Sequence, residues 1–451
     1  MILFRCIRMI IGSVAAALLC AATAQADPTN RTAPLDFKGR ALVLVSDADM
    51  LASAYVNGEL GPREGTDALS VIPLGAPPRE LKAFSVPVSN SVAGPPVAVA
   101  TTPDGRFAIV VETFGQRPDN NERHHFGDLK HGNQIAVVDV SDLQRPRVVQ
   151  RVTGLERPDS VSVNAAGNMI AVALNPQGAG GKTPLALYEF RDGRLGPVQT
   201  PQVPGWALGE RLIHAEFHPS SNLLALVNET RGELSFVTVG GSPGARTLEA
   251  LGNKVQVERA PYMARFTPDG RHVLVNALYW GPDIQGTWNE APRGSVVSVR
   301  LHAGKGADGS TRHALVSRAV TGVSPEGLAI SPDGKLVATA NLERSFLPYD
   351  DPRITWYSSV SLFRLDQDTG QLQRVADYAY DGILPEALAF DASGNYLAVV
   401  TFDHFDDSDA GGSVDFWRIA RDSLDAHRVE LVMTPYRVKV QRGPHSMVLV
   451  R

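Results

Sequence analysis

Pro325-Glu326-Gly327-Leu328-Ala329-Ile330-Ser331-Pro332-Asp333-Gly334-Lys335-Leu336-Val337-Ala338-Thr339-Ala340 reads as a β-hairpin, with a proline at its start and an Asp-Gly turn at its tip. Asp333-Gly334 supplies the positive φ angles that a tight hairpin demands, and the flanking runs are short and apolar. The same spacing recurs at Pro96–Gly105, Pro158–Gly167, Leu212–Ser221, Pro261–Gly270, Pro325–Gly334 and Pro385–Gly394. A hairpin that returns this regularly over most of a chain is the mark of a β-propeller, in which each repeat is one radial sheet. Each hairpin is followed by further strand-like segments, such as Gln134–Val140, Ser295–Leu301 and Ser359–Leu365. Their near-continuous apolar character fits strands covered on both faces.

Six complete units leave a remainder at each end. Pro444-His445-Ser446-Met447-Val448-Leu449-Val450 repeats the first half of the hairpin and then stops. At the other end Ala41–Val45 and Met50–Val56 read as strands with no first partner, and Leu81–Pro87 as a third. The expectation is an all-β, seven-bladed β-propeller whose ring is closed by the C-terminal strand pairing with N-terminal strands, which hides sheet edges.

Residues 1–26 read as a secretory signal peptide: Arg5 and Arg8, the apolar run Met9–Ala22, then Ala24-Gln25-Ala26 before Asp27. Residues 27–451 are then a single propeller domain, periplasmic or secreted. No later segment is apolar enough for a membrane span. Both cysteines, Cys6 and Cys20, fall inside the leader, so the mature chain is expected to lack disulfides, thiol nucleophiles and covalent haem attachment. Removing Arg5 and Arg8 makes the formal net charge more negative than −5, and the absence of a basic run argues against nucleic acid as a partner. Nothing in the sequence secures a quinone-type cofactor.

Within a propeller the residue after each proline mark opens the innermost strand, at one mouth of the channel. These positions are Val97, Asp159, Ile213, Tyr262, Glu326, Glu386 and His445. The second strands end on the same face, at Glu112, Asn175, Asn228, Glu229, Asn276, Asn341, Glu343 and Asp403. Long connections leave from there too: 113–133, 278–294, 342–358 and 402–412. Long loops on one side of a rigid scaffold are where binding is usually built. Glu112, Asp159, Tyr262, Glu326, Arg344, Glu386 and His445 are therefore the candidate ligand-binding residues. The competing reading makes such polar groups strand caps that bond free backbone.

The third unit is the most specific. Arg211-Leu212-Ile213-His214-Ala215-Glu216-Phe217-His218-Pro219, followed by Val227-Asn228-Glu229, resembles the lactonase family of seven-bladed propellers, of the 6-phosphogluconolactonase and carboxymuconate-cyclase type. The Pro-Asp-Gly hairpins at 103–105, 268–270 and 332–334 resemble the wider YVTN-type group. The resemblance implies opening of a lactone or related ester, with His214 and Glu229 as the catalytic pair. Lactone opening needs a base for water and a cation or N–H group for the oxyanion. The arginine that the family pattern places before the histidine is Ile213 here; Arg211, Arg265 and Arg344 are the substitutes in sequence. The alternative is a non-catalytic periplasmic interaction module holding a protein partner instead of a small-molecule ligand.

No cofactor is required on this reading. Two clusters bear on a divalent cation, calcium among them: His124, His125 and His131 with Asp119, Glu122 and Asp128, and the run Asp403 to Asp409. Neither has the spacing of a standard zinc or EF-hand site, and solvated polar loops account for both. Tyr279, Trp280, Trp288, Trp356 and Tyr357 lie in the long loops, where aromatic rings either receive ring-shaped ligands or pin the loops down.

Overall fold

Each repeat folds as the inner hairpin of an antiparallel sheet whose third and outer strands follow in chain order. In unit five these strands are Pro325–Ile330, Leu336–Asn341, Ser358–Leu365 and Leu372–Tyr380. Six such sheets follow one another, and a seventh combines both chain ends. The fold is therefore the seven-bladed propeller expected. The coordinates, a computed structural model, describe residues 34–451 apart from 64, 118–123, 280–289, 308, 407–410, 423, 424, 426 and 427.

The tip of the hairpin is a small locked device. The hydroxyls of Thr102, Thr267 and Ser331 donate to Asp104, Asp269 and Asp333 over 2.5, 2.7 and 2.6 Å. The same carboxylates accept the amides of Arg106, Arg271 and Lys335 at 3.0–3.1 Å. Gly105, Gly270 and Gly334 complete the turns at φ 66, 70 and 71, where a Cβ would be strained.

The opposite end of the inner strand is irregular in a repeated way. The chain reaches it through Arg157, Ala260, Ser324 and Leu384, all at φ between 51 and 59. Register then shifts between Pro158 and Ser160, Leu212 and His214, Pro261 and Ala264, and Pro325 and Gly327. A bulge places an extra residue out of the ladder and re-aims its side chain. The displaced residues include Asp159, Ile213, Tyr262 and Glu326, the positions expected at the channel mouth.

Closure follows the expected scheme. Pro444–Val450 is the inner strand of the seventh blade and pairs antiparallel with Ala41–Ser46, Leu42 facing Leu449 and Leu44 facing Met447. Met447 and Val450 are buried; Val448 and Leu449 are half-buried. The next strands are Ala68–Pro73 and Phe84–Pro87. Met50–Val56 is not the strand expected from its apolar residues. It leads into a short helix, Ala54–Asn57, ended by Gly58 at φ 74. Met50, Ala54 and Leu60 instead pack on Leu342, Phe346, Ile383, Leu384 and Phe402, so residues 50–60 roof the channel. Among the described residues no helix is long and apolar enough to cross a membrane.

Candidate active site at the upper mouth of the channel

The bulged positions bring charge together from adjacent blades. Asp159, 1% exposed, accepts Arg211 Nε at 2.9 Å and Asn175 Nδ2 at 3.1 and 3.2 Å. Arg211 Nη1 reaches Glu229 at 3.2 Å, so one guanidinium bridges carboxylates from two blades. Burial opposes its charge, but Asp159 and Glu229 outweigh this and hold it firmly protonated. Arg211, Arg157, Tyr262, Tyr55, Phe114 and His125 line a cavity of about 410 Å³. Arg157 stacks over the Phe114 ring at 4.8 Å and donates to Gln177.

Below the roof the mouth is acidic. Glu326 and Glu386 are 2% and 1% exposed. Burial, then the neighbouring Glu326 and Asp47, push the Glu386 carboxyl well above its ordinary range. Tyr262 is pushed up as well, by burial and then by Glu326 and Glu386, so its phenol keeps its proton and stays a donor.

The remaining expected site residues lie elsewhere. His214 is fully buried between blades, where Nδ1 accepts the Ala264 amide at 2.9 Å and Nε2 lies 3.5 Å from Glu216. Burial, then Arg265, lowers its pKa well below the ordinary value. It does not pair with Glu229, because the bulge at Ile213 turns it toward the next blade. Glu112 is taken up by the amides of Asn133 and Gln134, both at 3.1 Å. His445 is bonded to Asn90 at 2.7 Å, and burial pushes it down to about 3. Both act as structural ties. Arg344 is buried in the loop between the second and third strands of unit five, its amide donating to Thr355 Oγ1. Of the three substitute arginines, only Arg211 lines this cavity; Arg265 pairs with Glu216 at 3.0 Å toward the other mouth.

The family described as "Lactonase, 7-bladed beta-propeller" matches residues 293–404. About a quarter of the chain is therefore similar to that family. The matched stretch runs from the third strand of unit four to the second strand of unit six, not over the third unit. The periplasmic gluconolactonase of Pseudomonas aeruginosa is 17% identical, with 91% of this chain and 99% of that one covered and a TM-score of 0.58. Two Bacteroides proteins provisionally described as 6-phosphogluconolactonases are each 15% identical. The B. fragilis protein gives 94% and 100% coverage with a TM-score of 0.57, and that of B. uniformis 92% and 100% with 0.55. At such identities the likeness shows the fold alone. No curated protein matches the chain.

Several described residues of the two loops weighed as cation sites have protein partners. His131 pairs with Glu156 at 3.1 Å and His125 caps a turn at Gly127. Asp403 accepts the amides of His404 and Gly411 and pairs with Arg442. Asp119, Glu122, Trp280, Trp288, Asp407 and Asp409 lie outside the described residues. The cluster the sequence did not reveal is Asp47, Asp49 and Asp67, all buried, with carboxylate oxygens within 4.8 Å of one another. Burial, then Asp49, pushes Asp67 up to about 8. The sequence signal was an Asp-x-Asp after the first strand, hidden in a segment that reads as apolar.

Proposed function

We propose that the protein hydrolyses a lactone or related ester in the cavity edged by Arg211. The observation that carries this reading is the Arg211 guanidinium, held at Nε and Nη1 by buried or half-buried carboxylates while lining a cavity. Its Nη2 is left to meet the carbonyl oxygen as negative charge develops there. Glu229, whose side chain keeps 18% exposure, takes a proton from water as the water oxygen bonds to the carbonyl carbon. The ring C–O bond then breaks and the proton passes to the departing alkoxide, giving the hydroxy acid. Asp159 is a positioning residue, and the neutral Tyr262 phenol is a second donor. The likeness to a periplasmic gluconolactonase supports export through the leader at 1–26.

The test is acid release from a panel of five- and six-membered lactones, followed by pH-stat. Turnover is expected to fall about 100-fold or more in Arg211→Lys, the scale of losing an oxyanion donor. No release from any lactone by folded protein, or an unchanged rate in that variant, removes the reading.

A further inference from the structure

We infer that a second cavity on the upper face, between the loops of units five and six, binds a neutral sugar ring of pyranose size. It encloses about 390 Å³ on the far side of the 51–58 segment from Arg211, and Phe346, Leu347, Ile383 and Leu51 supply its apolar lining. Tyr349 also lines it, and the rings of Trp356 and Phe405 pack around Tyr349. Their ring centroids are 5.4 Å apart for Tyr349–Trp356 and 5.2 Å for Trp356–Phe405. Tyr349 and Trp356 are each 56% exposed. Large rings held out in water are costly unless something covers them.

His404 makes the cavity more than an apolar patch. It is 3% exposed and lines the cavity, with Nε2 2.9 Å from Ser413 Oγ. Ser413 Oγ donates its only proton to Asp415 Oδ2 at 2.8 Å, and Arg437 also holds that carboxylate. Ser413 must therefore accept from His404, which in the neutral imidazole fixes the proton on Nε2 and leaves a lone pair on Nδ1. Nδ1 is buried and has no hydrogen-bond partner among the described residues. A buried acceptor of this kind is costly unless a donor reaches it.

The required occupant has an apolar face for the rings and a hydroxyl edge for Nδ1. It is neutral, because Asp403 and Arg442 at the same cavity compensate each other at 2.9 Å. A pyranose offers C–H groups on one face and hydroxyl donors around its edge. This goes beyond the proposed hydrolysis and uses none of its residues.

Calorimetric titration of the intact mature protein with methyl pyranosides of several aldoses tests it. Saturable, millimolar binding is expected for at least one. Trp356→Ala should weaken it about tenfold and leave lactone turnover and melting temperature unchanged. His404→Gln keeps a donor to Ser413 but moves the acceptor away from the position of Nδ1. It should weaken binding about tenfold and change the ranking of sugars that differ at one hydroxyl. Absence of saturable binding, equal affinity in Trp356→Ala, or binding of phenol but of no pyranoside each overturns the inference. Lactone turnover in the same preparations is a separate readout, so the two proposals fail independently.

Discussion

The two mouths of the channel are built from the same seven inner strands, yet only one carries the makings of a reaction. The lower mouth is framed by the short Pro-Asp-Gly turns and lined by inner-strand residues such as Phe217, Phe266, Ile330 and Met447. It too has an inter-blade ion pair, Arg265–Glu216 at 3.0 Å. The upper mouth differs in three respects: bulges turn single residues inward, long loops leave from it, and residues 50–60 cover it. Both arginines line cavities, but the upper one is held by two carboxylates instead of one. A regular repeat makes a scaffold; chemistry collects where the repeat is broken.

The largest expected effect concerns what holds both mouths together. Deleting residues 443–451 removes an inner strand that pairs with Ala41–Ser46 and buries Met447 and Val450. Burial of such side chains contributes about 1.5–3 kcal/mol each, and the loss uncovers the edge of Ala41–Ser46. The truncated protein should be insoluble or show no cooperative melt by circular dichroism; a soluble, cooperatively folded truncation breaks the closure argument. Next comes a direct contrast of the mouths. With Arg211→Met costing about 100-fold in lactone turnover, Arg265→Met should change it less than about threefold. Comparable losses would show that the two mouths are not chemically distinct.

The closing blade should also show opposed pH dependences. Asp67, with a pKa of about 8 in place of 3.8, binds its proton more tightly in the folded chain. Its carboxyl therefore costs stability progressively as pH rises from about 4 to about 8. His445 lies at about 3 in place of 6.5, so stability is lost as pH falls from 6.5 toward 3. Above pH 6.5 only the first effect operates. The melting temperature should fall between pH 6.5 and 8, and Asp67→Asn should reduce that fall by about 2–4 °C. A variant that melts in parallel with the parent across this range removes the carboxyl from the account.

The fold was readable because its determinants are local: Asp333-Gly334 and its equivalents are turn chemistry, and turn chemistry repeats. The mouth positions Asp159, Tyr262, Glu326 and Glu386 were readable for the same reason, each standing one residue after the mark. Their neighbours were less so. Arg157, Ala260, Ser324 and Leu384 adopt positive φ without being glycine, and nothing in a single sequence announces that. Met50–Val56 has strand-like apolar residues, but its partners are loops from other blades, which periodicity cannot foresee. Glu112 and His445 show what position alone does not tell: Glu112 Oε2 accepts two backbone amides and His445 is bonded to Asn90.

His214 gives the finest test of the comparison between the mouths. A motif places it beside Glu229, but one bulge separates the side chains at 213 and 214, so Arg211 faces the upper cavity and His214 the neighbouring blade. Fully buried, with Nδ1 accepting the Ala264 amide, it has no route to a substrate in the Arg211 cavity. His214→Asn, which can keep an acceptor near Nδ1, should lower the melting temperature modestly and change lactone turnover by less than about threefold. A loss near 100-fold in folded His214→Asn would mean that the imidazole reaches the substrate after all, and that the boundary between the two mouths lies lower in the channel than the bulge puts it.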